Sequence, residues 1–342
     1  MKSYRIAVVG ALGAVGREMV KMLENSSINV EYFKPLDVAE HVGELVDFRG
    51  SAWAVQEAKE GKFEDIDIAL FSAGAQASKI LAPIAVAEGA IVVDNSSQWR
   101  QDPTVPLVVP EVNPEALRAH QGIVANPNCS TIQMVLALKP LHDAFGIKRV
   151  VVSTYQAVSG SGMAGINELK DQTTAIALGE EVRTKTYPHQ IAFNVIPQID
   201  VFLENGYTKE EWKMVEETHK ILDSAIEVSP TAVRVPVYRG HSESINLEFE
   251  RPCELAEVYH ALESIAGLTI VDDVGVNEYP MAIHSEGKRG VYVGRIRRDF
   301  TLRSGINMWV VSDNLLKGAA LNTVQIAEKM VQMGLVGHKE QQ

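Results

Sequence analysis

One glycine-spaced loop constrains this chain more than any other feature. Residues 5–9 form a short apolar run, and Gly10-Ala11-Leu12-Gly13-Ala14-Val15-Gly16 follows at once. Over residues 13–23, Val15, Met19, Val20 and Leu23 then recur at helical spacing. Glycine between a strand and a helix lets the backbone turn tightly and approach a pyrophosphate. The helix start supplies unpaired N–H groups and a positive dipole end. The spacing is GxxGxxG rather than GxGxxG, and a turn that binds nothing also uses glycine. The strand-to-helix context favours a dinucleotide.

The same alternation continues. Extended runs at residues 30–33, 66–72 and 90–94 are joined by a helical stretch at 77–88, and short apolar runs near Leu107 and Ile123 add to the sheet. Strands interleaved with helices imply a parallel sheet covered on both faces. Residues 130–145 read as a helix, after which the pattern changes. Residues 150–157, 232–238, 245–250, 290–298 and 306–311 read as strands. Ile245, Leu247 and Phe249 oppose Asn246, Glu248 and Glu250, and Ile306, Met308 and Val310 oppose Asn307, Trp309 and Val311. Such alternation predicts an antiparallel sheet with one face open or covered by a partner. Helices at 208–222 and 255–264 pack against it.

A last helix at 313–333 starts at an Asp313 cap and carries Leu316, Ala320, Val324, Ala327 and Val331. It is expected to return to the first domain, and the polar residues 338–342 are expected to fray. At 342 residues the chain exceeds the roughly 250–300 that one core supports. The fold class is therefore α/β. A Rossmann-type parallel-sheet domain spans 1–128 and 313–342. An α+β domain with a mainly antiparallel sheet spans 129–312, expected to be the catalytic and substrate domain and, since its sheet needs a cover, the dimerisation domain.

Composition excludes several functions. Lys+Arg 32 against Asp+Glu 44 gives a net charge of -12, which argues against general nucleic-acid binding. An anionic ligand must then be held by a few placed cations. No apolar stretch reaches the ~20 residues of a membrane helix. The start MKSYRIAVVG enters a strand without a charged-then-apolar leader. Two cysteines exclude a disulfide scaffold and fit a reducing compartment. The expectation is a cytoplasmic protein. The histidines show no metal-ligand spacing, so no catalytic metal is expected.

Asn126-Pro127-Asn128-Cys129-Ser130-Thr131 is the most informative hexapeptide. Pro127 stops the preceding strand, and Cys129 falls in the first turn of the next helix. The dipole and unpaired N–H groups there favour a thiolate, a good nucleophile toward an acyl carbon. A small buried cysteine used as packing is equally frequent. Cys253, beside Glu254, is read as structural. A nicotinamide and a cysteine together suggest aldehyde oxidation through a thioester, or the reverse reduction. That chemistry needs a base near the thiohemiacetal oxygen and cations for an acyl phosphate. Asp37, after the second strand, suits the ribose diol of NAD. Lys34 and Arg49 suit the 2′-phosphate of NADP, or solvent.

With Thr154-Tyr155-Gln156-Ala157-Val158-Ser159-Gly160-Ser161-Gly162, Val105-Pro106-Leu107-Val108-Val109-Pro110-Glu111-Val112-Asn113 and Arg234-Val235-Pro236-Val237, these motifs resemble the aspartate-β-semialdehyde dehydrogenase family along nearly the whole chain. The resemblance implies NADPH-dependent reduction of aspartyl β-phosphate to aspartate semialdehyde and phosphate, in lysine, threonine, methionine and diaminopimelate biosynthesis. It makes Cys129 the nucleophile, His241 the acid/base and Gln156 the group that orients the acyl intermediate. Arg234 would hold the substrate α-carboxylate, Arg100 and Lys213 the phosphate, and Glu210 the amino group, with Asn128 framing the cysteine. Gly10, Ala11, Leu12, Gly13, Ala14, Val15, Ser72, Ala73, Gly74, Gly160 and Asn314 would bind the cofactor. Small molecules are the expected partners, with a homodimer or dimer of dimers as the assembly.

On local pattern alone these residues read more plainly. Arg234 is a solvated strand-edge residue, and Glu210–Lys213 is an ordinary i,i+3 pair behind a Thr208–Glu211 capping box. His241 is a surface histidine and Arg100 a loop charge. The chain also departs from the family. Leu12 replaces a threonine, and Phe33-Lys34-Pro35-Leu36-Asp37-Val38-Ala39-Glu40 replaces a Ser- and Arg-containing loop. NADP therefore rests on the resemblance, and NAD or dual use stays open. The rival functions are reduction of another acyl phosphate, such as N-acetyl-glutamyl phosphate, and a silent nucleotide-binding paralogue.

Overall fold

The computed structural model describes residues 2–337, so the fraying expected of residues 338–342 lies outside them. The chain divides into two units, one running to Pro127 and resuming at Ala319, the other spanning Asn128–Gly318.

The first unit contains β1 (Tyr4–Val9), α1 (Ala14–Glu24), β2 (Val30–Asp37), a hairpin of β3 (Leu45–Phe48) and β4 (Ser51–Ala54), β5 (Gln56–Glu57), β6 (Ile68–Phe71), α2 (Ala75–Ala87), β7 (Ile91–Asp94) and β8 (Ile123–Ala125). Its six-stranded sheet has the order β5-β2-β1-β6-β7-β8, and every pairing is parallel. Alternate residues of β1 feed two cores. Ile6 and Val8 join Met19 and Leu23 on one face, whereas Ala7 and Val9 join Ala82 and Ala85 on the other. A sheet covered on both faces needs this unbroken apolar run. The sequence near Leu107 makes only an isolated bridge to Ala125 instead of a strand. Pro106 and Pro110 flank it, and proline lacks the N–H a ladder requires.

The second unit contains α3 (Cys129–Phe145), β9 (Ile147–Gln156), α4 (Gly162–Leu178), α5 (Lys209–Ile221), β10 (Glu227–Arg234), β11 (His241–Phe249), α6 (Leu255–Glu263), β12 (Leu268–Ile270), α7 (Ala282–Ser285), β13 (Val291–Arg298) and β14 (Gly305–Ser312). The sheet order is β10-β9-β11-β14-β13-β12. Its three central pairings are antiparallel and its two edge pairings parallel, so the sheet is mixed. α3 lies against β9, β11, β13 and β14. On the covered face Val150, Val152, Ile245, Leu247, Met308 and Val310 are buried. On the other, Ser153, Ser244, Asn246, Asn307 and Trp309 keep partial exposure. α4 has no counterpart in the sequence reading. Its apolar residues make only a weak stripe, with few beyond Leu169 fully buried.

Asp313 caps the last helical segment as expected, accepting from Leu315 N (2.9 Å) and Leu316 N (3.2 Å). A π-helical stretch, Leu316–Ala320, then precedes α8 (Leu321–Gln332), which packs on α1 in the first unit.

Candidate active site

In the first unit the chain order of the sheet reverses at β1, which lies between β2 and β6. Ligands of such sheets bind at that point, beyond the carboxyl ends of the strands. Gly10 follows β1 there at φ +80°, and a Cβ on it would sit 2.9 Å from Ser72 O, just after β6. A Cβ on Gly16 would sit 1.9 Å from Gly10 O. Both positions therefore require glycine, and Gly13 caps α1 without a side chain that would fill the cradle. Gly74 does the same for α2, after Ser72 and Ala73. The bare loop and open helix start of Gly10–Val15 fit a dinucleotide pyrophosphate.

Asp37 ends β2 and is 8% exposed. Its Oδ2 accepts from Leu12 N at 2.9 Å, and its Oδ1 accepts from Val38 N at 2.9 Å and faces His41 Nδ1 at 3.2 Å. The cations considered for a 2′-phosphate lie elsewhere. Lys34 is buried against the Asp65 carboxylate and donates to Lys62 O. Arg49 donates to Ile28 O and Val30 O at the opposite end of β2. Arg100 is no solvated loop charge either. It is buried, donating from Nε to Asn126 O and from Nη2 to Asn95 O, both at 2.9 Å.

In the second unit Cys129 is the first residue of α3 and is half-buried. Asn128 caps the helix, its Oδ1 accepting from Ser130 N (3.0 Å) and Thr131 N (3.4 Å). Its Nδ2 donates to Glu210 Oε1 at 2.9 Å, and its backbone N donates to Glu217 Oε2 at 2.7 Å. Gln156, at the end of β9, donates to the same Glu210 oxygen at 3.3 Å. Lys213 Nζ pairs with Glu210 and Asp200, each at 3.0 Å. Glu210 is therefore buried and tied to the helix that carries the cysteine, with Lys213 half-buried beside it. A Cβ on Gly318 would lie 2.8 Å from Cys129 Cβ, so the π-helical stretch packs directly on the cysteine.

Arg234 and His241 meet beside Gly160. Arg234 is 5% exposed and donates from Nη1 to Ala157 O at 2.6 Å, which overturns its reading as a solvated edge residue. His241 is fully buried, not superficial. Its Nδ1 accepts from Ala157 N at 3.1 Å, which leaves the ring proton on Nε2. A Cβ on Gly160 would sit 2.9 Å from Arg234 Nη1 and 3.5 Å from His241 Nε2. Two buried donors, Arg234 Nε and His241 Nε2, have no partner. Asn314 holds the neighbouring turns together. It accepts from Gly240 N at 2.9 Å and donates to Ser159 Oγ at 2.9 Å.

The charges are polarised accordingly. Burial opposes ionisation of Glu210, but Lys213, the Asn128 amide and Arg234 outweigh it and hold the carboxyl at about 2. Burial also opposes the charge on Lys213, yet Glu210 and Asp200 raise its pKa. For His241, burial and then the Arg234 charge push the ring down to about 3, so it is neutral at physiological pH. Among the described residues no three His, Cys, Asp or Glu side chains group as metal ligands.

Residues 5–120 match the family model described as semialdehyde dehydrogenase, NAD binding domain, and residues 138–317 match semialdehyde dehydrogenase, dimerisation domain. The aspartate-semialdehyde dehydrogenase of Aquifex aeolicus is 53% identical over 338 residues, covering 97% of this chain and 99% of that protein. The chain belongs to the aspartate-semialdehyde dehydrogenase family. The Bacillus subtilis aspartate-semialdehyde dehydrogenase is 48% identical, over 98% of this chain and 99% of that protein. Among solved structures, aspartate semialdehyde dehydrogenase II of Vibrio cholerae complexed with ASA superposes with a TM-score of 0.94 at 47% identity, covering 97% of this chain and 99% of that one. The Candida albicans enzyme with NADP has a TM-score of 0.78 at 26% identity, covering 98% and 100%.

Asn128, Cys129, Gln156, Gly160, Glu210, Lys213, Arg234, His241 and Asn314 all lie in the second unit, whereas Gly10–Val15, Ser72–Gly74 and Arg100 belong to the first. The sequence reading missed Glu217 and Gly318. Glu210 and Glu217, spaced i and i+7, lie on one face of α5 and both reach Asn128.

Proposed function

We propose that this chain is an aspartate-semialdehyde dehydrogenase, reducing aspartyl β-phosphate to aspartate semialdehyde and phosphate through a thioester on Cys129. One observation carries the reading. Arg234 Nε and His241 Nε2 are buried N–H donors without acceptors, on two side chains that both approach Gly160. An unpaired buried donor is costly, and the oxygens of an anionic substrate relieve that cost.

Cys129 Sγ attacks the β-carbonyl carbon, the bond to the phosphate oxygen breaks, and phosphate leaves with the electron pair. The helix start and the Asn128 cap favour the thiolate this step needs. Gln156 orients the acyl group, and Lys213 offers its charge to the departing phosphate. Arg234 pairs with the α-carboxylate through a planar fork, and Glu210, ionised down to about pH 2, takes the amino group. The Gly10–Val15 loop would hold a nicotinamide dinucleotide, which when bound would supply hydride to an acyl carbon. His241 would hold the acyl oxygen by a hydrogen bond from its Nε2–H. The electron pair on that oxygen re-forms the C=O as the C–S bond breaks, Cys129 recovers its thiolate, and the aldehyde leaves. For His241 to act as an acid it must first gain a proton on Nδ1, which means releasing Ala157 N.

NADP is the dinucleotide the resemblance implies, but the segment after β2 differs here and the choice turns on Asp37. The second unit's open sheet face and its match to a dimerisation domain support a homodimer, and a dimer of dimers is the larger assembly this allows. No described helix is long and apolar enough to cross a membrane. A cytoplasmic location is our reading from the substrate class alone. The test follows reduction of NADP or NAD with aspartate semialdehyde and phosphate. Wild type should turn over and Cys129→Ala should not. No turnover with either cofactor, or equal turnover of N-acetyl-glutamate semialdehyde, would overturn the assignment.

A further inference from the structure

We propose that Asp37 makes this chain select NAD over NADP, by offering its carboxylate to the adenosine ribose diol and opposing a 2′-phosphate. The inference rests on the dinucleotide reading of the Gly10–Val15 loop. Asp37 is the last residue of β2, next to β1 where the sheet order reverses. Its bond to Leu12 N fastens the carboxylate to the cofactor loop itself. A carboxylate has about four acceptor positions. Leu12 N, Val38 N and His41 Nδ1 occupy three, so a ribose hydroxyl can take another. With two backbone N–H bonds holding it, the side chain cannot swing away from a phosphate without leaving those donors unpaired.

The surrounding charges point the same way. Lys34 is committed to Asp65. Arg49 is bound to carbonyls at the start of β2, roughly 20 Å away at the usual strand rise. On the edge strand, Glu57 pairs in register with Asp37, and Lys59 is paired with Glu57. Glu40 follows in the next turn. Arg17 is the rival. Its Nε donates to Leu12 O at 2.9 Å and its side chain is exposed, so it is the cation through which NADP would be accepted.

Titration calorimetry on the full-length protein, without substrate, measures NAD⁺ and NADP⁺ binding side by side. NAD⁺ should bind at least tenfold more tightly. Asp37→Asn keeps an oxygen for Leu12 N but removes the charge, and should narrow that ratio at least tenfold, chiefly by tightening NADP⁺. If wild type binds NADP⁺ as tightly as NAD⁺, or Asp37→Asn leaves the ratio unchanged, the proposal fails, and loss of NADP⁺ binding in Arg17→Ala would identify the cation responsible. Should Asp37→Asn not fold, the wild-type ratio alone decides. Failure to bind either dinucleotide would overturn the reading of the loop and this inference with it.

Discussion

At His241 one hydrogen bond decides what a side chain can do. Because Ala157 N occupies Nδ1, the neutral ring presents a proton, not a lone pair, at Nε2. Its pKa is about 3 against 6.5 in an unfolded chain. Between those values the unfolded chain binds a proton that the folded chain does not. Stability from this site is therefore full above about pH 6.5 and falls as pH drops toward 3, with a slope approaching about 1.4 kcal/mol per unit. In urea titrations between pH 6.5 and 4, His241→Gln should show a shallower loss than wild type, and equal slopes would refute the assignment. Glu210 acts in a lower window. Its pKa is depressed from 4.5 to about 2, so its contribution is present above about 4.5 and is lost as pH falls to 2. Gly318 is a second single-residue test. A methyl group there would lie 2.8 Å from Cys129 Cβ, so Gly318→Ala should lower kcat at least tenfold and cost about 1–3 kcal/mol in stability. Near-normal kcat would show that the cysteine tolerates displacement.

At the scale of the element, α3 and α5 act as a pair. Asn128 caps one helix with Oδ1 and holds the other through Nδ2 and its backbone N–H. Aspartate caps as well as asparagine on an isolated helix. Here Asn128→Asp would set a carboxylate against Glu210, so the variant should be less stable than Asn128→Ser, whose hydroxyl caps without added charge. Thermal unfolding of the two would decide. The capping box of α5 was legible because its bonds span three residues, Thr208 to Glu211. The outward bonds of the same helix were not, because Glu211 reaches Ala232 N and Glu217 reaches Asn128 N. No spacing rule connects those positions.

At the scale of the whole molecule, the second unit buries one face of its sheet and leaves the other half-open. The alternation in β11 and β14 foretold this, since polar residues at every second position suit a face that meets water or a partner. Ser244 sits in register between Ser153 and Trp309 near the middle of that face. If two copies associate there, Ser244→Arg should shift the sedimenting species from dimer toward monomer while the far-ultraviolet spectrum stays unchanged. An undiminished dimer would place the interface elsewhere.

The strand–helix alternation around the first sheet, the glycine loop, the Asp313 and Thr208 caps and the helix-first position of Cys129 follow from the sequence by itself. Each depends on backbone sterics or on bonds between residues a few positions apart, so local spacing records them. Only the tertiary structure decided the fate of the polar residues. Arg234 meets Ala157 across 77 positions, Asn128 meets Glu210 across 82, and Ala157 meets His241 across 84. Read locally, each of these charges looks solvated. Ion pairing and neutral burial become favourable only when the fold removes water and supplies the partner, and no local pattern encodes that removal.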